Sequence, residues 1–360
     1  MLNPFPTQGR IPSLDGWRAL AILLVLGDHA CYATGFPDEG WDWIGKVFHG
    51  NLGVRIFFVL SGFLISLLML RETDKHGTLN LPRFWCRRIF RIFPVYFAYL
   101  GSLGILSIGG LYADSASSWI GSLSFTRNMV GQGKSATVHL WSLAVEEQFY
   151  LIWPLAFLLL KLWKRPALYL GLLIVPVLVC PMIRGWCISA QPGGDLLSRL
   201  FGERSILMYA DSLAVGCIGA WFAWRLPNGG EWRRIHSGLW IGGIAVIGLS
   251  RWTSLGVGSF DALLPSIQAL AIMGCIWLSA SDGSPLYRLL NCRLLVILGL
   301  LSYSVYIWHV LFLGHFVGSP MQNWVSHDWR VWLVPSLLVA ASSYHFLEMP
   351  VLKLRQKFNF

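Results

Sequence analysis

Residues 14 to 30 read LDGWRALAILLVLGDHA, an almost continuous run of hydrocarbon side chains with a cation near its start and an imidazole near its end. Arg18 and His29 are eleven residues apart. On an α-helix this spacing makes about three full turns, so both side chains share one face about 16 Å apart. Ionisable groups inside a membrane span are costly and usually functional. We therefore expect one of the two near a membrane surface and the other well inside.

The rest of the chain is as apolar as this stretch. Of its 360 residues 55% are hydrophobic and 13% charged, and its mean hydropathy is +0.57, which excludes an ordinary soluble protein. Runs near the length of about 20 residues that crosses a bilayer occur at 14–34, 52–70, 92–111, 139–160, 167–183, 205–223, 236–250, 262–280, 294–313 and 331–347. The sequence predicts an all-α, polytopic membrane protein with about ten transmembrane helices.

Lysine and arginine are distributed unevenly between the two sets of alternating loops. With the N-terminus inside, one set holds 18 of these residues and the other holds nine. Cytoplasmic loops are enriched in Lys and Arg, so we expect both termini in the cytoplasm and the protein in the cytoplasmic or inner membrane. Topology and anionic lipid explain the net charge of +10 better than a nucleic-acid partner does.

Cysteines and targeting signals add little. The seven cysteines form no CxxC pair, so we expect small core residues and no metal site. A cleavable signal peptide is not expected. No stretch is long enough for a soluble domain, so we expect residues 1–360 to form a single membrane domain with nothing appended. The oligomeric state is left open.

His29 is the first candidate for chemistry, because imidazole is the side chain best suited to proton transfer near neutral pH. Asp28 precedes it, but neighbours on a helix point about 100° apart, so the sequence does not make Asp28 its partner. The alternative for His29 is a structural hydrogen bond within the helix bundle. Arg18 either extends its charge to the membrane surface or binds an anion.

Four arginines lie in PRFWCRRIFRIFPVYF, residues 82 to 97: Arg83, Arg87, Arg88 and Arg91. Arg87 and Arg91 are four residues apart, and Arg88 and Arg91 three, so each pair shares a helical face. Such pairs can hold phosphate groups with forked donors. Cytoplasmic loops are enriched in cations in any case, and this alternative stays open.

The segment HLWSLAVEEQFYLIWP, residues 139 to 154, carries a polar stripe along one helical face: His139, Ser142, Glu146 and Tyr150. Glu147 points elsewhere. Two consecutive carboxylates inside a span are costly unless they are paired or protonated. We therefore expect at least one of them to face the same cavity as His29 or an arginine, and Glu146 is the better candidate. The alternative is a purely structural ion pair.

Weaker signals come from four other ionisable residues. Arg204 and Asp211 are expected two turns apart on one face of the sixth span, as a buried charged pair or a substrate contact. His309 in the ninth span and Glu348 at the cytoplasmic end of the tenth are more often structural than catalytic. Small residues on the second span are expected to allow close helix contact: Gly53, Ser61, Gly62 and Ser66.

Together these segments resemble membrane-bound acyltransferase family 3, whose members transfer acyl groups to sugars and some other hydroxylated acceptors. The likeness is carried by four motifs in the family's order: LDGWRALAILLVLGDHA, GVRIFFVLSGFLIS, RRIFRIFPVY and HLWSLAVEEQFYLIWP. In the second half only LSYSVYIWH and LEMP are similar to the family. Asp28 departs from the apolar or aromatic residue usual before the histidine.

The resemblance implies a ten-helix bundle that uses cytoplasmic acyl-CoA, with acetyl as the expected acyl group. It implies that His29 is essential and that Arg18, Arg88 and Arg91 bind the donor. The acceptor hydroxyl would enter from the opposite side of the membrane. His29 would act as general base or carry the acyl group briefly, and Glu146 would orient or recharge it.

Three other interpretations are weighed beside a glycan O-acyltransferase. Some relatives carry a further esterase-like domain and modify peptidoglycan; because the sequence stops at Phe360, we expect a different subtype. Intramembrane charges also mark transport pathways, so a transporter or flippase of a lipid-linked or amphiphilic substrate is the rival class. The third alternative is an acyltransferase acting on a small hydrophobic acceptor such as an antibiotic.

Overall fold

The computed structural model describes residues 13–31, 47–131, 135–190, 202–225, 243–245, 248, 258–280, 285–312 and 329–357. Within these ranges the secondary structure is helical, and they contain no β-strand. Six helices in the described part of the chain are long and apolar enough to cross a membrane. The predicted all-α class is therefore confirmed. Most of the predicted span at 236–250 lies outside the described residues.

The helices in chain order are α1 (Ser13–Cys31), α2 (Gly50–His76), α3 (Leu81–Ile108), α4 (Ala116–Leu123), α5 (Leu140–Leu159), α6 (Pro166–Ala190), α7 (Ala210–Arg225), α8 (Gly258–Ser279), α9 (Pro285–Leu290), α10 (Arg293–Phe312), α11 (Trp329–Ser343) and α12 (Met349–Lys357). Short 3₁₀ turns occur at Leu162–Lys164 and Ile206–Met208. A π-helical turn, Tyr344–Glu348, joins α11 to α12. The six candidate spans are α2, α3, α5, α6, most of α8, and α10.

Local capping signals place the arginine motif at the start of α3. Helix α2 ends at Gly77, which adopts a left-handed conformation (φ 73°) that glycine allows at no steric cost. Asn80 then caps α3, because its side chain accepts a hydrogen bond from the Arg83 backbone N–H at 3.0 Å. Pro82 occupies the first turn, where its missing N–H costs nothing. The arginines consequently lie in the first three turns of α3.

The described chain divides into two compact units. Of the described residues, the first unit holds those within 1–25, 49–79 and 153–300, and the second holds those within 26–48, 80–152 and 301–360. In the first unit α7 packs against α2, α6 and α8. Its apolar core includes Val59, Phe63, Ile272 and Ile276, all at most 2% exposed.

Glycines bring the backbones of α2 and α7 into direct contact. A Cβ on Gly62 would lie 2.1 Å from the Leu213 carbonyl oxygen, and one on Gly216 would lie 2.2 Å from the Val59 carbonyl oxygen. The helices can pack this closely only because both positions lack side chains. The predicted packing role of Gly62 is confirmed.

We expect Gly62→Val to destabilise the protein by about 1–3 kcal/mol or more, because the new side chain overlaps the backbone of α7. Gly101→Val is the matched control on α3, since a Cβ there meets no atom within 4 Å. Thermal unfolding of the two variants in detergent measures the difference. Equal stabilities would show that α2 and α7 do not approach this closely in the folded protein.

In the second unit, side chains from several elements fasten the segment that leads into α5. Tyr99 on α3 donates a hydrogen bond from its hydroxyl to the Ala136 carbonyl at 2.6 Å. Arg127, fully buried, donates to the Thr137 hydroxyl at 3.1 Å. The position of His139, the next polar residue along the chain, is thereby fixed. Helix α3 also packs against the π-turn and against α12.

One expectation about the sixth predicted span is wrong. Ser205 caps the 3₁₀ turn Ile206–Met208 with its side chain, accepting from the Leu207 N–H at 3.2 Å, and α7 begins only at Ala210. Arg204 therefore lies before the helix and does not share a helical face with Asp211.

Candidate active site

His29, near the end of α1, forms a hydrogen bond with His309 of α10. Its Nδ1 lies 2.9 Å from His309 Nε2. The two ring planes are inclined by 17° and the ring centroids are 5.0 Å apart. His309 is 0% exposed. The sequence indicated a structural role for His309, and the structure places it directly beside the leading catalytic candidate.

A third histidine and two hydroxyl groups surround this pair. His139 lies in the turn before α5 and contacts the Ile307 carbonyl through Nε2 at 3.1 Å, with its ring centroid 5.3 Å from that of His309. Tyr306 donates to the His139 carbonyl at 2.8 Å and hydrogen-bonds the Ser142 hydroxyl. The N-terminal part of the predicted polar stripe, His139 and Ser142, therefore meets α10 at the histidine cluster.

The C-terminal part of the stripe, Glu146 and Tyr150, meets the arginine motif. The Tyr150 hydroxyl donates to Glu146 at 3.1 Å, which confirms that these residues share a helical face. The Arg88 guanidinium carbon lies 5.7 Å from the centre of the Tyr150 ring. Glu147 is close enough to both Glu146 and Arg88 for electrostatic interaction, and its buried Oε1 has no hydrogen-bond partner. The carboxylate near Arg88 is therefore Glu147, whereas the sequence favoured Glu146 for such a contact.

The two arginines assigned to donor binding differ in their surroundings. Arg88 lies over the rings of both Phe84 and Tyr150, at 5.8 and 5.7 Å from their centroids. Arg91 forms an ion pair with Glu348, which also accepts a hydrogen bond from Ser304 at 3.1 Å. The Arg88 guanidinium thus lies over aromatic rings and near Glu147, whereas the fully buried carboxylate of Glu348 balances the charge of Arg91.

Arg18 and Asp28 lie on α1. Arg18, in the first unit, contacts Asp15 at 3.0 Å, with 31% of its side chain exposed. The three-residue spacing is the signal that identifies Asp15 as a partner. Asp28 is half-buried.

Asp211 belongs to a buried charge cluster in the first unit. It accepts hydrogen bonds from Arg184 at 2.8 Å and Ser266 at 2.6 Å, and Arg55 lies 3.9 Å away. Arg184 also donates to the carbonyl of Ala262 at 2.8 Å. Sequence reasoning missed Arg55 and Arg184, which it counted only as loop cations. Their position next to long apolar runs was the available signal.

These groups have distinct chemical capacities. The histidine pair can move a proton inside an apolar environment, and the arginines of α3 can bind an anion such as phosphate. In the described ranges, no group of three or more His, Cys, Asp or Glu side chains is arranged to hold a metal ion.

The chain is similar to three proteins that are named as O-acetyltransferases. A peptidoglycan O-acetyltransferase, OatA, of Listeria monocytogenes is 30% identical over 370 residues, covering 95% of this chain and 56% of the relative. A putative peptidoglycan O-acetyltransferase, YrhL, of Bacillus subtilis is 27% identical over 374 residues (95% and 55%). An O-acetyltransferase, OatA, of Staphylococcus aureus is 27% identical over 370 residues (95% and 57%).

The chain spans just over half the length of these relatives. No solved structure matches it. A family model described as an acyltransferase domain matches residues 11–343, which include the four motifs and the histidine pair. The chain therefore belongs to acyltransferase family 3.

Proposed function

We propose that the protein is an integral-membrane O-acyltransferase that moves an acetyl group from cytoplasmic acyl-CoA to a hydroxyl of a cell-envelope glycan. The observation that carries the proposal is the His29–His309 pair, an imidazole with a defined hydrogen-bond partner at 2.9 Å in a family of acyltransferases. Peptidoglycan ranks first among the acceptors, because two of the relatives are named for it, and this replaces the sequence-based expectation of a subtype other than the one that modifies peptidoglycan.

The proposal includes a topology. Six described helices are long enough to span a bilayer, and ten apolar runs in the sequence extend this to ten spans. The excess of Lys and Arg on one set of loops supports cytoplasmic termini in the cytoplasmic membrane. In that orientation the arginine motif at the start of α3 faces the cytoplasm, where acyl-CoA is found.

Arg88 and Arg91 of the second unit are proposed to bind the phosphates of the donor, and Arg18 of the first unit stays a donor-binding candidate from the sequence alone. Of the arginines on α3, Arg88 is the first choice, because its guanidinium carbon lies over two rings and an arginine can donate to phosphate oxygens in a forked geometry. Glu348 balances the charge of Arg91. Arg91 is therefore proposed to supply a fixed hydrogen-bond donor as much as a net positive charge.

His29 is proposed to be the general base. It takes the proton of the acceptor hydroxyl, whose oxygen forms a C–O bond to the thioester carbonyl carbon as the C–S bond breaks. The leaving CoA thiolate then takes the proton from His29, which returns to its starting state. A transient acyl-histidine is the second route, and Glu146 is proposed to orient or recharge His29.

For Arg88→Gln we expect the KM for acetyl-CoA to rise about 10- to 100-fold, because a hydrogen bond between charged groups contributes about 1.5–3 kcal/mol. The value of kcat should change little, since Arg88 is assigned to binding. Arg83→Gln, an exposed cation one turn earlier on the same helix, is the matched control. Steady-state kinetics with membranes or purified protein give both constants, and an unchanged KM would remove Arg88 from the donor site.

The reaction itself is tested with membranes containing the protein and membranes from cells carrying an empty vector. Both receive isotope-labelled acetyl-CoA, and mass spectrometry follows base-labile acetyl groups on envelope glycans while a thiol assay follows CoA release. Label on a glycan together with CoA release supports the proposal. CoA release without glycan label indicates a small hydroxylated acceptor. The absence of both signals favours a transporter or flippase.

A further inference from the structure

We propose that His309 is a positioning residue that fixes the tautomer of His29, so that the lone pair of His29 resides on Nε2. Its consequence for catalysis rests on the proposed acyltransferase function. The tautomer itself follows from hydrogen-bond chemistry within the second unit.

The first step is set by a backbone carbonyl. His309 Nδ1 lies 2.7 Å from the carbonyl oxygen of Tyr306. A carbonyl oxygen can only accept a hydrogen bond, so Nδ1 of His309 carries a hydrogen. His309 is 0% exposed, and a buried imidazole is most stable uncharged, with a single N–H. Its Nε2 therefore carries the lone pair.

The second step passes this assignment to His29. His29 Nδ1 faces His309 Nε2 at 2.9 Å. The centroids of the two rings are farther apart than these nitrogens, so the nitrogens are turned toward each other. Because His309 Nε2 is the acceptor, His29 Nδ1 is the donor. In neutral His29 the second nitrogen, Nε2, is then unprotonated and is the basic atom.

The Tyr306 carbonyl, which begins this series of hydrogen bonds, is held in place by contacts from outside α10. The Tyr306 hydroxyl donates to the His139 carbonyl at 2.8 Å, and His139 Nε2 lies 3.1 Å from the Ile307 carbonyl. Both contacts join the same turn of α10 to the start of α5. The carbonyl of Tyr306 cannot change its protonation, so the tautomer of His29 is anchored to the backbone.

This arrangement has a consequence for the proposed reaction. When Nε2 of His29 takes the hydroxyl proton, Nδ1–H keeps its hydrogen bond to His309, and no second proton has to move. His309 accepts as a neutral group and not as a carboxylate. The imidazolium of His29 is therefore stabilised only modestly, which favours return of the proton from Nε2 to the leaving thiolate.

Two side-chain amides separate positioning from simple packing. Asn at position 309 can still donate to the Tyr306 carbonyl but is too short to reach His29, whereas the Gln amide oxygen can accept from His29 Nδ1–H. We expect His309→Asn to lower kcat about 10²–10⁴-fold with the KM for acetyl-CoA unchanged, and His309→Gln to stay within about tenfold of wild type. Equal activity of the two variants would overturn the proposal.

Nitrogen-15 NMR of histidine-labelled protein in lipid nanodiscs reads the tautomer without any reaction. His29→Ala identifies the His29 signals. We expect the Nδ1–H form in the wild type and the appearance of the Nε2–H form in His309→Asn. An Nε2–H signal for His29 in active wild-type protein overturns the tautomer assignment, whereas the expected signals in protein that transfers no acetyl group leave it standing and remove the proposed function.

Discussion

His29→Ala is expected to lower kcat for acetyl transfer by about 10²–10⁴-fold, the contribution usual for a positioned acid–base group. Donor affinity should change by no more than about threefold, since only an interaction made in the transition state is lost. Contacts in the structure motivate this separation. His29 is bonded to His309 of α10, whereas Arg88 and Arg91 of α3 are held by aromatic rings and by Glu348.

Two measurements on the same preparation give the result. Acetyl transfer to glycan is followed by mass spectrometry at matched protein levels, and acetyl-CoA binding is measured by calorimetry. His76→Ala is the control, because this histidine is exposed at the end of α2. A parallel fall of donor affinity and acetyl transfer in His29→Ala, with a normal control, would contradict the assignment of donor binding and proton transfer to separate residues.

Asp211→Leu is expected to destabilise the protein by about 3–5 kcal/mol, the usual cost of removing one partner from a buried ion pair. Asp211 is 0% exposed and accepts from Arg184 at 2.8 Å, with Arg55 at 3.9 Å. Removing this carboxylate takes away the counter-charge that both guanidinium groups share. We expect a loss of monodisperse protein and a lower unfolding temperature in detergent.

A double variant tests the physical cause. Arg184→Leu added to Asp211→Leu removes one of the two uncompensated cations, so part of the lost stability should return. Asp74→Asn is the control, since Asp74 is exposed at the end of α2. Two outcomes would show that the cluster does not depend on Asp211. In the first, the losses of unfolding temperature from the two substitutions simply add in the double variant; in the second, the Asp211→Leu protein is as stable as the control.

Features within a single helix were predictable from the sequence. Apolar runs of about 20 residues predicted the helical class, and the four-residue spacing of Glu146 and Tyr150 predicted their shared face, which a hydrogen bond confirms. The pair of Asp15 and Arg18 follows the same spacing rule, although the sequence analysis did not name it.

Contacts between distant segments were not predictable in this way. His29 and His309 are 280 residues apart, and Arg91 and Glu348 are 257 apart, so no local period relates them. The predicted sixth span starts at residue 205, but Ser205 caps a separate 3₁₀ turn and α7 begins only at Ala210. Arg184 was overlooked because a cation beside an apolar run also fits the ordinary asymmetry of membrane loops.

The π-turn Tyr344–Glu348 holds one residue more than an α-helical turn. At the same length, an α-helical version of this segment would rotate Glu348 by about 100° and away from Arg91. A version one residue shorter would leave the carboxylate in its present direction. The turn thus accommodates one additional residue between α11 and α12 while the carboxylate of Glu348 stays directed at Arg91.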